Sequence, residues 1–358
     1  MATPKPTPNP IQEIADQISA LQTKIGWLQS SVRLTSTRDA VEDLHTKVTG
    51  MEQRVAILRE RGYVFEKELE NQASTYVAQW KTLQPTLNAQ VSSQAAGLQA
   101  SLRPIETQMA QLNSAARNPA AARPLLASIG SSIDMLEDKI TAAERTVRGM
   151  YDTFDNQVYQ TLKHLDDIET MLKHLDEASF KLMPTEGGIL AVKAVWCKIG
   201  KEQKSDPEGV LYLTDQRLIF EQKQEVAKKK VLFITTEKEK VQSLQWEIPV
   251  AMVDKVETSK LGLLKNEDHI EIRFLPGAQY EVIHLHIWAD CATWQGLLNR
   301  AKAKDFDKGR AVQIDQEAAE KARAAPSQCS SCGANISQVI LRGMDTITCE
   351  YCGYVIRL

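Results

Sequence analysis

Two cysteine pairs carry the clearest chemistry in this sequence. Cys329-Ser330-Ser331-Cys332 and Cys349-Glu350-Tyr351-Cys352 are each followed by glycine, Gly333 and Gly353, with sixteen residues between Cys332 and Cys349. Each pair at this spacing can bind one edge of a tetrahedron, so the four thiolates match the donor set of a structural zinc ion. Glycine after each pair permits the left-handed backbone that such a knuckle needs. Four thiolates close the shell and leave no position open for a substrate, which makes Zn2+ here a folding cofactor. About thirty residues cannot bury enough core alone, so the metal supplies the folding free energy. Close pairs of this kind point to a reducing cytoplasm and away from a secreted disulfide framework. The remaining cysteines, Cys197 and Cys291, read as small apolar packing groups.

Other chemistry is sparse. The sequence has no phosphate-cradling G-x-x-x-x-G-K, no H-E-x-x-H, no G-x-S-x-G and no dinucleotide fingerprint. His284 and His286 alternate on one strand face, but no third ligand stands near them in sequence, so a half-exposed strand face is the expectation. His164 and His174 fall in the near-repeat LKHLDDIE and LKHLDE and read as a solvated helix face. Asp305 to Gly309 resembles a calcium loop, but its glycine is one position early and Gln316 replaces the required glutamate. These absences favour a non-enzyme.

The elements that position these residues begin with a long helical region. Residues 1–10, MATPKPTPNP, read as a disordered tail without a signal peptide. Over residues 11–183 apolar side chains recur in steps of three and four, beginning Ile11, Ile14, Ile18, Leu21, Ile25, Leu28 and Val32. A break or cap is expected at Leu34-Thr35-Ser36-Thr37, an interruption at Gly62, an end or a bend at Pro85, a kink at Pro104, and a turn at Asn118-Pro119 with Pro124. Such greasy-edged helices need other helices to cover them, from the same chain, from a second copy, or both. A coiled-coil or antiparallel bundle that makes a homo-oligomer is therefore predicted.

Residues 187–304 change character to about seven short strands and one amphipathic helix. The string Gly209 to Glu221, GVLYLTDQRLIFE, reads as two strands around the turn Thr214-Asp215-Gln216. Together with Trp246, Ile248-Pro249, the strand Ile270 to Phe274, and Trp294 in the closing helix, it resembles a GRAM or bacterial pleckstrin-homology-like (PH-like) domain. The resemblance covers about a third of the chain and implies a β-barrel capped by a C-terminal helix. It also implies a non-catalytic module for anionic lipids or protein segments. Lys198, Lys201 and Lys204 in the loop after the first strand, with Lys228, Lys229 and Lys230, are its candidate anion site. Residues 187–300 hold sixteen Lys or Arg and sixteen Asp or Glu, so no positive field favours that site.

Residues 305–325 read as a linker with a short helix, and residues 326–358 resemble a zinc ribbon with strands at Val339 to Leu341, Thr346 to Thr348 and Tyr354 to Ile356. Arg342 and Arg357 balance Asp345 and Glu350, and the whole chain carries a net charge of -3, which disfavours nucleic acid. The combined expectation is a multidomain α + β protein acting as a cytoplasmic scaffold or adaptor for a protein partner. A peripheral protein on an anionic membrane surface, with a membrane-shaping helical region, is the alternative; a nucleic-acid-associated factor using the ribbon is the third.

Overall fold

The computed structural model describes residues 10–231, 234–262, 264, 266–314, 326, 328–336, 341–344 and 346–357. Five helices come first: α1 (Pro10–Ser31), α2 (Thr35–Thr49), α3 (Met51–Glu60), α4 (Leu69–Ala115) and α5 (Pro119–Asp176). Strands β1 (Gly188–Trp196), β2 (Glu208–Thr214), β3 (Arg217–Val231), β4 (Ile234–Pro249), β5 (Val253–Leu261), β6 (Glu267–Phe274) and β7 (Val282–Ile287) follow. Helices α6 (Cys291–Lys302) and α7 (Asp305–Lys308) and the short strands β8 (Thr346–Thr348) and β9 (Val355–Arg357) end the described chain. It divides into two compact units, residues 1–52 with 72–162 and residues 53–71 with 163–358.

In the first unit the heptad seams cover one another within one chain. Ile14, Ile18, Ile25 and Leu28 of α1, and Val41, Leu44 and Val48 of α2, are buried, as are Leu87, Val91, Leu98 and Leu102 of α4 and Ile129, Ile133, Leu136 and Ile140 of α5. Trp80 on α4 stacks on Phe154 of α5 at 5.8 Å, and its indole Nε1 donates to His45 Nδ1 of α2 at 2.9 Å. One tryptophan thus joins three helices and satisfies its polar edge. Gln29 on α1 donates to Glu106 on α4, so α4 runs antiparallel to α1 and α2; Tyr76 and Thr161 place α5 antiparallel to α4.

The helix breaks are fewer than proline content suggests. Leu34 adopts a left-handed conformation, φ 52, between α1 and α2, and Gly62, φ +93, follows α3. Pro85 and Pro104, however, lie inside α4, and Pro124 lies inside α5. Pro85 and Pro104 are solvent-exposed, as are Lys81 and Ala100 four residues earlier, whose carbonyls lose their helical donors. Water can hydrate those carbonyls while Trp80, Leu87, Leu102 and Ile105 hold the buried face together.

In the second unit the strands form one antiparallel sheet in the order β4-β3-β2-β1-β7-β6-β5. The expected closed barrel is corrected to an open seven-stranded sheet, two runs of hairpins joined through β1 and β7, because hydrogen bonding ends at β4 and β5. Pro249, which lacks an amide donor, ends β4, and a 3-10 turn at Val250–Met252 carries the chain to β5. Helix α6 packs on β5, β6 and that turn, burying Trp294 and Leu298. Its N-terminus is capped by Asp290, which accepts from Thr293 N at 2.8 Å. β3 and β4 are long paired arms, with Lys228, Lys229 and Lys230 lying on β3, and β5 is a further strand at the opposite edge. The expected linker helix falls largely on residues 315–325, outside the described residues.

Candidate metal centre

The knuckles build the tail. Cys329 N donates to Ala334 O at 2.8 Å and Gly333 N to Cys329 O at 2.8 Å; Cys349 N and Gly353 N repeat the pattern with Tyr354 O and Cys349 O at 2.9 Å each. Gly333 and Gly353 have φ of +72 and +70 with open space beside them, so backbone conformation alone calls for glycine there. β8 pairs with β9 through Thr346↔Arg357, Ile347↔Ile356 and Thr348↔Val355. Of the expected first ribbon strand, Val339 and Ile340 fall outside the described residues, and Leu341 accepts in a turn from Met344 N. The tail's apolar core is Cys329, Ile347, Cys349 and Ile356.

This backbone brings all four cysteines together. Cys329 Sγ is 3.7 Å from Cys352 Sγ, and Cys332 Sγ is 3.7 Å from Cys349 Sγ; all four sulfurs lie within 4.8 Å of one another. The Cys332 backbone amide, with the neighbouring thiols, holds Cys329 down at about 7. Against the Ala334 amide, which favours its thiolate, Cys332 is pushed up to about 12 by thiol neighbours, Cys352 first. Four thiols this close cannot all ionise in mutual contact without a cation between them, so the donor set fits one metal ion.

Arg342 anchors this tail to the sheet. Its guanidinium donates to Asp307 at 2.7 and 3.1 Å, and to Asp215 Oδ2 in a short contact. Asp215 belongs to the turn between β2 and β3, and its other oxygen accepts from Gly187 N at 2.8 Å. Arg310 donates to the same Asp215 Oδ2 at 2.9 Å and lies over the Phe65 ring at 5.0 Å. Burial raises the Asp215 carboxyl despite Gly187 and the two arginines. A Cβ at Gly343 would lie 2.4 Å from the Gln216 carbonyl oxygen, so glycine lets the tail approach the turn.

The rest of the turn is equally occupied. Arg217 donates to both oxygens of Glu186, at 3.0 and 2.6 Å, to Glu247 at 2.5 Å and to Lys181 O at 3.0 Å. Thr214 Oγ1 donates to Glu186 at 2.5 Å and accepts from the Arg217 and Gln216 amides at 2.7 and 3.0 Å. The Thr-Asp-Gln-Arg string is therefore an internal clasp joining the segment before β1, the hairpin turn, the stretch after α6 and the tail.

The candidate anion residues are scattered. Lys198 Nζ sits over the Trp196 ring at 5.1 Å. Lys204 lines a cavity of about 370 Å³ with Lys193, Lys223 and Trp288, but Asp206, Glu208 and Glu225 line it too. Lys223 already faces Glu177 at 3.5 Å and Glu221 at 3.8 Å. Lys201 is exposed on the loop after β1, and Lys228, Lys229 and Lys230 lie along β3, with Lys229 opposite Glu237.

One grouping escaped the sequence. β6 and β7 set His269 opposite His286, and the loop after β1 brings Glu202 to them. His284 shares that strand face with His286 but lies two residues along, 3.4 Å from Glu271. His269 lies on a strand that sequence gave no reason to align with β7, and 66 or more residues separate Glu202 from either histidine.

No family model matches the chain, and no curated protein matches it. Among solved structures, the DH/PH fragment of PDZRHOGEF in complex with human RhoA aligns over 82% of this chain and 95% of that chain, with 13% identity and a TM-score of 0.26. The DH/PH domains of p115-RhoGEF align over 83% and 95%, with 11% identity and a TM-score of 0.22. Autoinhibited Vav1 aligns over 98% and 68%, with 10% identity and a TM-score of 0.26. Likenesses at such TM-scores carry no weight for fold or activity.

Proposed function

We propose that this chain is a non-enzymatic scaffold or adaptor that engages a protein partner through a GRAM-type, PH-like module and a zinc-ordered ribbon. The observation that supports it most is the tail's exposed apolar surface: Tyr351 is 76% exposed, Val355 55% and Tyr354 48%, on a segment with a very small core. Tyrosine offers a large apolar contact and a polar edge, and is enriched where proteins meet. Arg342 holds that surface in place before any partner arrives, which lowers the ordering cost of binding. A Zn2+ on Cys329, Cys332, Cys349 and Cys352 would neutralise the thiolates and fix the knuckles; close cysteine pairs of this spacing support a cytosolic setting for this reading.

The test is affinity capture from the native cell with the wild-type chain and a Tyr351→Ser, Tyr354→Ser variant of equal zinc content. A partner held by the wild type and reduced at least about tenfold by the variant supports the reading; equal recovery overturns it.

The cavity containing Lys193, Lys204 and Lys223 favours a second reading, a peripheral protein on anionic lipid. It requires sedimentation with phosphoinositide-containing vesicles that weakens with salt and with Lys198→Glu, Lys201→Glu and Lys204→Glu. None of the described helices is long and apolar enough to cross a membrane. Homo-oligomerisation through the helical region would use surface beyond the filled seams, where Trp27, Met135 and Tyr159 are exposed. Light scattering is then expected to give a multiple of 40.0 kDa, falling to a single chain in Trp27→Glu, Tyr159→Glu.

A further inference from the structure

We propose that Glu202, His269 and His286 form a second metal site, selective for a divalent transition ion of the zinc type and independent of the cysteine tail. One ligand atom from each of the three lies within 4.8 Å of the others. The two imidazoles come from adjacent strands in direct register and stack with centroids 4.7 Å apart and planes 15° from parallel. Trp288 stacks on the outer face of His286 at 4.2 Å and 24°, so the ring cannot swing freely. Both histidines are largely covered, with side chains 14% and 12% exposed, on paired strands that fix their positions. Near-parallel rings aim their nitrogens side by side, so a shared ion requires His269 to turn about its Cβ–Cγ bond while His286 stays packed on Trp288. Two imidazoles plus one movable carboxylate suit a borderline ion better than calcium or magnesium, which favour all-oxygen shells.

Two further observations point to a ligand. His269 Nε2 is buried and has no hydrogen-bond partner, and the nearest carboxylate recorded for it, Glu267 Oε2, stands 3.8 Å away. A buried ring nitrogen without a partner calls for an explanation, and a metal ion supplies one. Glu202, by contrast, is close: its Oε2 is 2.5 Å from His286 Nδ1. A metal at about 2.0–2.2 Å from each donor would replace the proton shared there, releasing it to solvent, while the carboxylate swings outward. The loop allows that movement, because the Glu202 side chain is 42% exposed and Gly200, φ +81, precedes it. Three protein ligands leave at least one position to water or to a partner's side chain.

The experiment titrates cobalt into the full-length, metal-stripped chain and follows sulfur-to-cobalt charge transfer and d–d absorption separately. The charge-transfer band is expected to saturate at one equivalent while d–d absorption rises to a second. Glu202→Gln and His286→Asn should each weaken only the second equivalent at least about tenfold, and His284→Asn, on the neighbouring residue pair, should leave both unchanged. Glu202→Gln alters an exposed loop side chain, and circular dichroism of each apo variant checks that the fold persists. Binding that ends with the thiolate-linked equivalent, or a second equivalent that survives both substitutions, overturns the proposal. Loss of the charge-transfer band alone would overturn the cysteine centre and leave this site standing.

Discussion

At the scale of single residues, the second unit depends on buried charge with few spare donors. Arg217 and Glu186 have side chains 4% and 0% exposed, and they meet through two parallel hydrogen bonds. Removing Glu186 strips Arg217 of its two buried hydrogen bonds and leaves it the partly exposed Glu247 and the Lys181 carbonyl, which costs about 3–5 kcal/mol. Glu186→Ala is therefore expected to lower unfolding free energy by about that amount in a urea titration, whereas Arg273→Ala, a surface pair with Glu271, should change it by less than about 1 kcal/mol. A pH effect comes from His164, whose Nε2 lies 2.6 Å from Glu66 Oε2. The hydrogen bond to Glu66 raises His164 above its ordinary 6.5. Burial works to raise Glu66, but His164, with Tyr63 and Arg300, holds the carboxyl below 4.5. The raised histidine stabilises fully below 6.5 and loses its contribution as pH climbs through its higher folded value. The lowered carboxylate stabilises above 4.5 and loses its contribution as pH falls through its lower folded value. Stabilisation by the pair is thus greatest between about 4.5 and 6.5. Melting curves of wild type and His164→Gln should differ most there and converge at alkaline pH; a constant gap would refute the linkage.

At the scale of elements, α4 and β5 show where local rules yield to context. Pro85 sits exposed within a 47-residue helix, removing one hydrogen bond and crowding the preceding turn. Pro85→Ala should stabilise the chain by up to about 3 kcal/mol, read as a rise in thermal midpoint. No change would mean that α4 has already relaxed around the ring. β5, VDKVETSKL, buries little beyond Val253 and Val256, so its sequence has no clear alternation. It is a strand because β6 hydrogen-bonds along it from Val253↔Phe274 to Leu261↔Glu267. Close packing sets the opposite limit at Gly209, where a Cβ would lie 1.9 Å from the Glu221 carbonyl oxygen; there the β2–β3 pairing, and not a turn, demands glycine.

At the scale of the whole molecule, the cysteine tail is held to the sheet by charge through Arg342, and its four clustered thiols would add a metal ion under the proposed function. Chelation is expected to raise amide exchange across residues 328–357 while the sheet's β1, β2 and β3 stay protected, because the tail's own core is so small. Arg342→Ala should keep the metal but raise exchange at the β2–β3 turn, since Asp215 loses one of its two arginines. If chelation loosens the sheet to the same extent, tail and sheet fold as one unit and the adaptor reading loses its modular basis.

The residues themselves determined everything that depends on short spacing. Period in the seams specified helices, alternation around Thr214 to Arg217 specified a hairpin, and the two cysteine pairs with their glycines specified two left-handed knuckle turns, because each property is decided within a few residues. Tertiary structure decided what depends on distant partners. It filled the seams within one chain, turned Asp215 and Arg217 inward, and set Glu202, His269 and His286 together across a strand register. Those outcomes follow from long-range packing and pairing, where burial and hydrogen bonding between remote segments outweigh any preference a residue shows beside its neighbours.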